Sequence, residues 1–115
     1  MMRAVQLRAL GGVAAEVPDD ATAYAHRSRG IMVNVANIYM QEGDRSAARA
    51  WVDGLAGRLH GDDTRGYVNF LGDEGPERVR QAYPGTTWDR LREIKRRYDP
   101  TNLFRMNQNI PPAEG

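Results

Sequence analysis

The run Ile31-Met32-Val33-Asn34-Val35-Ala36-Asn37-Ile38-Tyr39 constrains this chain more than any other segment. A strand points successive side chains to opposite faces, and β-branched residues suit that geometry. Ile31, Val33, Val35 and Tyr39 share one face with Asn37, while Met32, Ala36 and Ile38 share the other with Asn34. Both faces are largely apolar, so the run reads as a central strand covered on both sides. A chain of 115 residues built around such a strand fits one domain and can bury roughly 65–70% of its unfolded surface.

The flanking patterns supply the rest of the architecture. Residues 3–10 place Val5, Leu7 and Ala9 on one side and Gln6 and Arg8 on the other, the alternation of a half-buried strand. Gly11-Gly12 breaks it, Val13 to Val17 reads as a second short extended piece, and Pro18-Asp19-Asp20 stops that piece. Residues 21–26 alternate Ala21, Ala23 and Ala25 with Thr22, Tyr24 and His26, a further extended stretch. Beyond Asp44, placed as an N-cap, Ala47, Ala48, Trp51, Val52, Leu55 and Leu59 recur at helical spacing, and Gly61 suits the position just past the helix. Asp62-Asp63 reads as a solvated loop and Tyr67 to Phe70 as a short extended segment. Pro76 opens a short helix with Val79 and Tyr83 inward. Thr86 or Thr87 caps a longer helix, with Asp89 placed as in a capping box and Trp88, Leu91, Ile94 and Tyr98 as its apolar stripe. Pro100 stops that helix, and Leu103, Phe104, Met106 and Ile110 anchor the C-terminal stretch to the body. Strands come first and helices after, which predicts an α+β fold, an antiparallel sheet of about three to four strands backed by two to three helices.

Composition removes several kinds of chemistry. The absence of Cys excludes disulfide frameworks, thiolate metal sites and cysteine nucleophiles. His26 and His60 have no ligand-like neighbours at short spacing, so no metal site is expected. Nucleotide-binding glycine loops, the H-E-x-x-H pattern and the nucleophile elbow are missing. No apolar run approaches the roughly 18 residues of a membrane span, and Met1 to Gly12 lacks a signal-peptide pattern, so the chain reads as cytoplasmic with no membrane partner. Sixteen basic residues, all but Lys95 arginine, face fifteen acidic ones. Arg90, Arg92, Lys95, Arg96 and Arg97 concentrate on one helix, but Asp89 and Glu93 interleave with them, and cations late in a helix complement its dipole. No nucleic-acid partner is expected.

Tyr67-Val68-Asn69 has a different character. On an extended segment positions i and i+2 face the same way, so a phenol and a carboxamide would point together. A phenol can donate, accept or act as a base, and the amide can bond the carbonyl and N–H groups of a heterocycle. Taken alone the tripeptide is also what an exposed strand looks like.

Its surroundings are more specific. Tyr67 and Asn69 are followed by an acidic Gly-rich loop, then Tyr83 and Gly85, then Arg90, Leu91, Lys95, Tyr98, Asp99, Pro100, Asn102, Phe104 and Ile110. In this register residues 66–112 closely resemble the C-terminal segment of the berberine-bridge-enzyme-like family of FAD-dependent oxidoreductases, and residues 61–112 are taken as that segment. Residues 1–60 are similar to the preceding part of that family's substrate domain, and residues 113–115 read as a disordered tail. The resemblance implies FAD as cofactor and a small organic substrate oxidised by hydride transfer to the flavin, with oxygen as the usual acceptor. It implies Tyr67 as the base or substrate-orienting phenol, Asn69 as a flavin contact and Asn107 as a further contact near the cofactor. Neither His26 nor His60 falls on a family motif. The family's flavin-binding domain has no counterpart in this chain, so a flavin-binding domain or subunit is the expected partner. The alternative is a non-catalytic assembly domain that pairs with itself, as a homo-oligomer, or with a separate flavin-binding subunit.

Overall fold

Strand β1, Met2–Ala9, pairs antiparallel with β2, Ile31–Ile38, in the computed structural model, which describes residues 1–60 and 65–115. The expected Gly61 helix end and Asp62-Asp63 loop lie outside the described residues. The chain divides into two compact units, Met1–Leu10 with Arg29–Thr64 and Gly11–Ser28 with Arg65–Gly115.

In the first unit the register sets Val5 opposite Val35, Leu7 opposite Val33 and Ala9 opposite Ile31. Paired residues share a face, so these form one apolar surface, with Gln6 and Asn34 on the other. The α+β class holds, but the sheet among the described residues has two strands rather than three to four. Helix α1, Arg45–His60, is entered through a 3-10 turn at Glu42–Asp44 and packs against β2. Ala48 is buried, Trp51, Val52 and Leu55 are half-buried or partly exposed, and the Arg3 guanidinium lies 5.2 Å from the Trp51 ring centroid. This cover is incomplete: Leu7 is 72% exposed and Ile31 65%. The expectation of a strand covered on both sides is therefore corrected, because β2 is patterned for more apolar cover than these residues supply.

The short strand expected at Val13 to Val17 is instead a 3-10 helix, Gly12–Glu16. Gly11 (φ 140°) and Gly12 (φ 59°) turn the chain out of the strand, and Ala14-Ala15-Glu16 has little strand preference to restore it. Residues 21–26 form no regular element. There the Thr22 hydroxyl accepts the Tyr24 backbone N–H at 3.3 Å, a local bond that competes with ladder pairing.

The second unit contains α2, Pro76–Gln81, and α3, Thr86–Tyr98. Pro76 opens α2 as expected, and Val79 on its inner side is buried. Gly85, at φ 63°, takes the N-cap position of α3 with no side-chain cap bond, so neither threonine caps it, and Thr87 is buried. Ala25, Val79 and Ala82 are the buried apolar residues here, and no large side chain is fully buried among the described residues. The outer half of the predicted stripe on α3 is uncovered, with Tyr98 74% exposed. Among the described residues no helix is long and apolar enough to cross a membrane.

The end of α3 is organised by Asp99. Its carboxylate accepts the backbone N–H groups of Leu103 (2.7 Å) and Phe104 (3.0 Å) and the Lys95 ammonium, which also donates to the Phe104 carbonyl. Asn102, at φ 53°, occupies the left-handed conformation that asparagine tolerates, and its N–H closes a turn onto the Asp99 carbonyl at 3.0 Å. Phe104 and Met106 do not pin the chain as expected, being 77% and 83% exposed. The terminal residues are instead fastened to α3, Ala113 N–H on the Arg92 carbonyl at 3.1 Å and the Arg92 guanidinium on the Pro112 carbonyl at 3.3 Å.

The Lys95 bond, assisted by the two backbone donors and opposed by burial, holds the Asp99 carboxyl below its usual range. A depressed folded-state pKa contributes stability that is fully present above the unfolded value, near 4, and is lost as pH falls through the folded value. The thermal midpoint is expected to fall over that acid window. Asp99→Asn should remove this part of the pH dependence, and an identical acid profile in the variant would contradict the assignment.

Candidate functional site

Tyr67 leaves Gly66 in extended backbone (φ −90°, ψ 120°), and the chain then closes into a 3-10 turn at Val68–Phe70. The Phe70 N–H bonds the Tyr67 carbonyl at 2.9 Å, and the Leu71 N–H bonds the Val68 carbonyl at 3.2 Å. The extended segment expected here is thus corrected to one tight turn. Phe70 is not turned into a core; it is partly exposed and tilted against the Tyr67 ring with centroids 5.7 Å apart.

This turn brings the phenol and carboxamide into direct contact, the Asn69 Nδ2 donating to Tyr67 Oη at 2.6 Å. Tyr67 is half-buried and Asn69 exposed, so the pair is anchored on one side and accessible on the other. With Asn69 donating into it, the phenol oxygen keeps one acceptor position and its own rotatable O–H for a further group.

Residues far upstream complete the surroundings. The Tyr24 ring stands edge-on to Tyr67, with centroids 5.3 Å apart and planes at 87°. It stands edge-on to His26 as well, at 5.6 Å and 89°. His26 is buried, and its Nε2 lies 3.0 Å from the Gly66 carbonyl oxygen. The Arg27 guanidinium lies 5.5 Å from the Tyr24 ring centroid and bonds Thr22 Oγ1 at 3.0 Å. Sequence reasoning does not single out Tyr24, His26 and Arg27 as site residues; Ala25 and His26 are buried within an otherwise largely exposed loop. Tyr83 is a further neighbour: burial pushes its phenol above the usual range, and negative charge on Tyr67 would push it further.

Asn107 lies elsewhere. It is exposed, at φ 58°, and lines a concavity of about 950 Å³ with Leu71, Glu74, Trp88, Gln108 and Asn109; neither Tyr67 nor Asn69 lines it. Gln108 Nε2 donates to the Leu71 carbonyl at 2.9 Å, tying this segment to the loop just past the 3-10 turn. The basic helix is engaged internally: Arg90 donates to the Asp20 carbonyl at 2.8 Å, and the Arg97 guanidinium lies 5.3 Å from the Tyr98 ring centroid.

The arrangement is an accessible phenol–carboxamide pair on a tight turn, backed by aromatic rings. Residues 66–111 match the family model described as berberine and berberine like. The chain is 35% identical over 105 residues to the uncharacterized FAD-linked oxidoreductase YgaK of Bacillus subtilis, covering 91% of this chain and 23% of the relative. It is 32% identical over 103 residues to the uncharacterized FAD-linked oxidoreductase YvdP of the same organism, covering 90% and 23%. Xylooligosaccharide oxidase of Thermothelomyces thermophilus is 39% identical over 66 residues, 56% of this chain and 13% of that protein. The chain spans less than a quarter of the length of the first two.

Proposed function

We propose that this chain is the flavin-proximal C-terminal part of an FAD-linked oxidoreductase that oxidises a small organic substrate. The observation that carries the reading is the Asn69–Tyr67 bond at 2.6 Å, found inside the berberine-like segment. The residues present are suited to a flavin edge. Asn69 commits one N–H to Tyr67, and its carboxamide oxygen and second N–H are the complement of a heterocycle's N–H and carbonyl groups. When bound, FAD supplies the acceptor for the hydride that leaves the substrate carbon. Tyr67 Oη meets the substrate hydroxyl, orients it, and takes its proton as the base. Asn69 holds the phenol oxygen in place and contacts the cofactor, and Asn107 contributes a further contact from its own loop. A flavin-binding domain or subunit is the partner, and oxygen is the acceptor that reoxidises the cofactor.

The exposed Tyr98, Leu103, Phe104 and Met106 favour a second reading, a non-catalytic module that assembles with itself or with a separate flavin-binding subunit. Gel filtration after mixing with FAD, alone and with a flavin-binding domain supplied separately, tests both. The oxidoreductase reading expects retained flavin absorbance and substrate-dependent oxygen uptake in the mixture with the partner domain. A complex that retains flavin but consumes no oxygen across a panel of alcohols and sugars would leave assembly as the role. A chain that retains no flavin, does not join the partner domain and elutes as a monomer overturns both readings.

A further inference from the structure

We propose that His26 is a positioning residue for Tyr67, acting through the backbone of Gly66 and the ring of Tyr24; this rests on the reading of Tyr67 as the phenol that meets substrate. The Gly66 carbonyl can only accept, so His26 Nε2 carries the proton in their 3.0 Å bond. In the neutral ring that assigns the hydrogen to Nε2 and leaves Nδ1 as the acceptor. Both the neutral Nε2–H form and the imidazolium donate to Gly66, so the contact is a hold rather than a proton switch.

The residue held has little freedom of its own. A Cβ placed on Gly66 would approach Leu71 Cδ2 to 3.0 Å and the Arg78 guanidinium to 3.5 Å, so this backbone sits close against its neighbours on one side while His26 fixes its carbonyl. Tyr67 starts from that fixed point. Its ring is then met by Tyr24 at 5.3 Å and Phe70 at 5.7 Å, and Tyr24 is itself set against the buried imidazole at 5.6 Å. The two perpendicular contacts, of Tyr24 with Tyr67 and with His26, favour defined ring orientations. His26 therefore acts on Tyr67 by two routes, one through the main chain and one through a ring, across 40 residues of sequence. A glutamine can reproduce the donor; a leucine of comparable bulk cannot.

The test is made on the 115-residue chain with tyrosine ring protons labelled for NMR. The wild type is expected to show cross-relaxation between the Tyr24 and Tyr67 rings, with the Trp88 indole N–H reporting that the second unit is folded. His26→Leu should abolish the Tyr24–Tyr67 signal and shift the Gly66 and Tyr67 amide resonances, and His26→Gln, which keeps the donor but not the ring, should restore the Gly66 amide resonance. Should His26→Leu also lose the Trp88 signal, Tyr24→Leu provides the second variant, expected to move the Tyr67 ring resonances while the Gly66 amide stays in place. Survival of the ring contact in His26→Leu, failure of His26→Gln to restore the Gly66 amide resonance, or an unmoved Tyr67 ring in Tyr24→Leu overturns the proposal. These readouts need no catalysis, so they fail or succeed separately from the oxidoreductase reading, which turnover of a Tyr67 variant decides.

Discussion

Tyr67→Phe is expected to lower turnover of the flavin-loaded assembly by about 10²- to 10⁴-fold, the usual range for removing a group that moves a proton in the transition state. The substitution deletes only Oη. It keeps the ring against Tyr24 and Phe70, so the geometry of the turn should survive and flavin content should stay close to wild type. What changes chemically is the acceptor for Asn69 Nδ2 and for the substrate proton. Asn69 is exposed, so its freed N–H can turn to water, and little stability should be lost. Steady-state oxygen uptake with the flavin absorbance measured on the same sample checks both halves of the expectation. Turnover equal to wild type at equal flavin content would remove Tyr67 from the chemistry, and a loss of flavin in step with activity would move it to cofactor binding.

Ala82→Leu is expected to cost about 1–3 kcal/mol of stability, the usual range for overpacking a filled site. Ala82 is 2% exposed, and the other buried residues of the second unit include Ala25, Val79 and Thr87, all small. Protein interiors are packed closely enough that a buried alanine site has little room for three added carbons. That cost is a large fraction of the roughly 5–15 kcal/mol that typically separates folded from unfolded chains. Thermal or urea unfolding measures it directly, and a midpoint equal to or above wild type would show an unfilled space at this position.

Where the sequence was legible, the reason is periodicity. β1, β2, α1 and α3 all came from apolar spacing, and Pro76 and Pro100 marked the start of α2 and the end of α3 because proline acts through local sterics alone. The misreadings share a different cause. Residues 13–17 and 67–70 alternate like strands yet form 3-10 turns, because alternation over four or five residues means little without a partner strand. The Gly11-Gly12 pair already pointed that way at the first site. At the second, Tyr67 and Asn69 meet as an i, i+2 strand argument would have them meet, but through a turn. Tyr24 and His26 could not be tied to Tyr67 by any local rule, since the contact spans about 40 residues and rests on how the chain returns. Asn102 shows the opposite case: a position of the family motif whose role is local, a single left-handed residue closing the turn onto Asp99.

The second unit is discontinuous, drawing residues 11–28 from before the strand β2 and joining them to the segment that begins at Arg65. A recombinant fragment cut to the matched boundaries, residues 66–111, would therefore leave behind Tyr24, His26 and the Asp20 carbonyl that Arg90 binds. Such a fragment would contain every residue of the family motif and still lack the Tyr24 ring beside Tyr67 and the His26 imidazole on the Gly66 carbonyl. For this chain, a minimal folded piece is defined by the path of the polypeptide in space, and trimming it by homology would discard side chains packed against Tyr67 and Gly66.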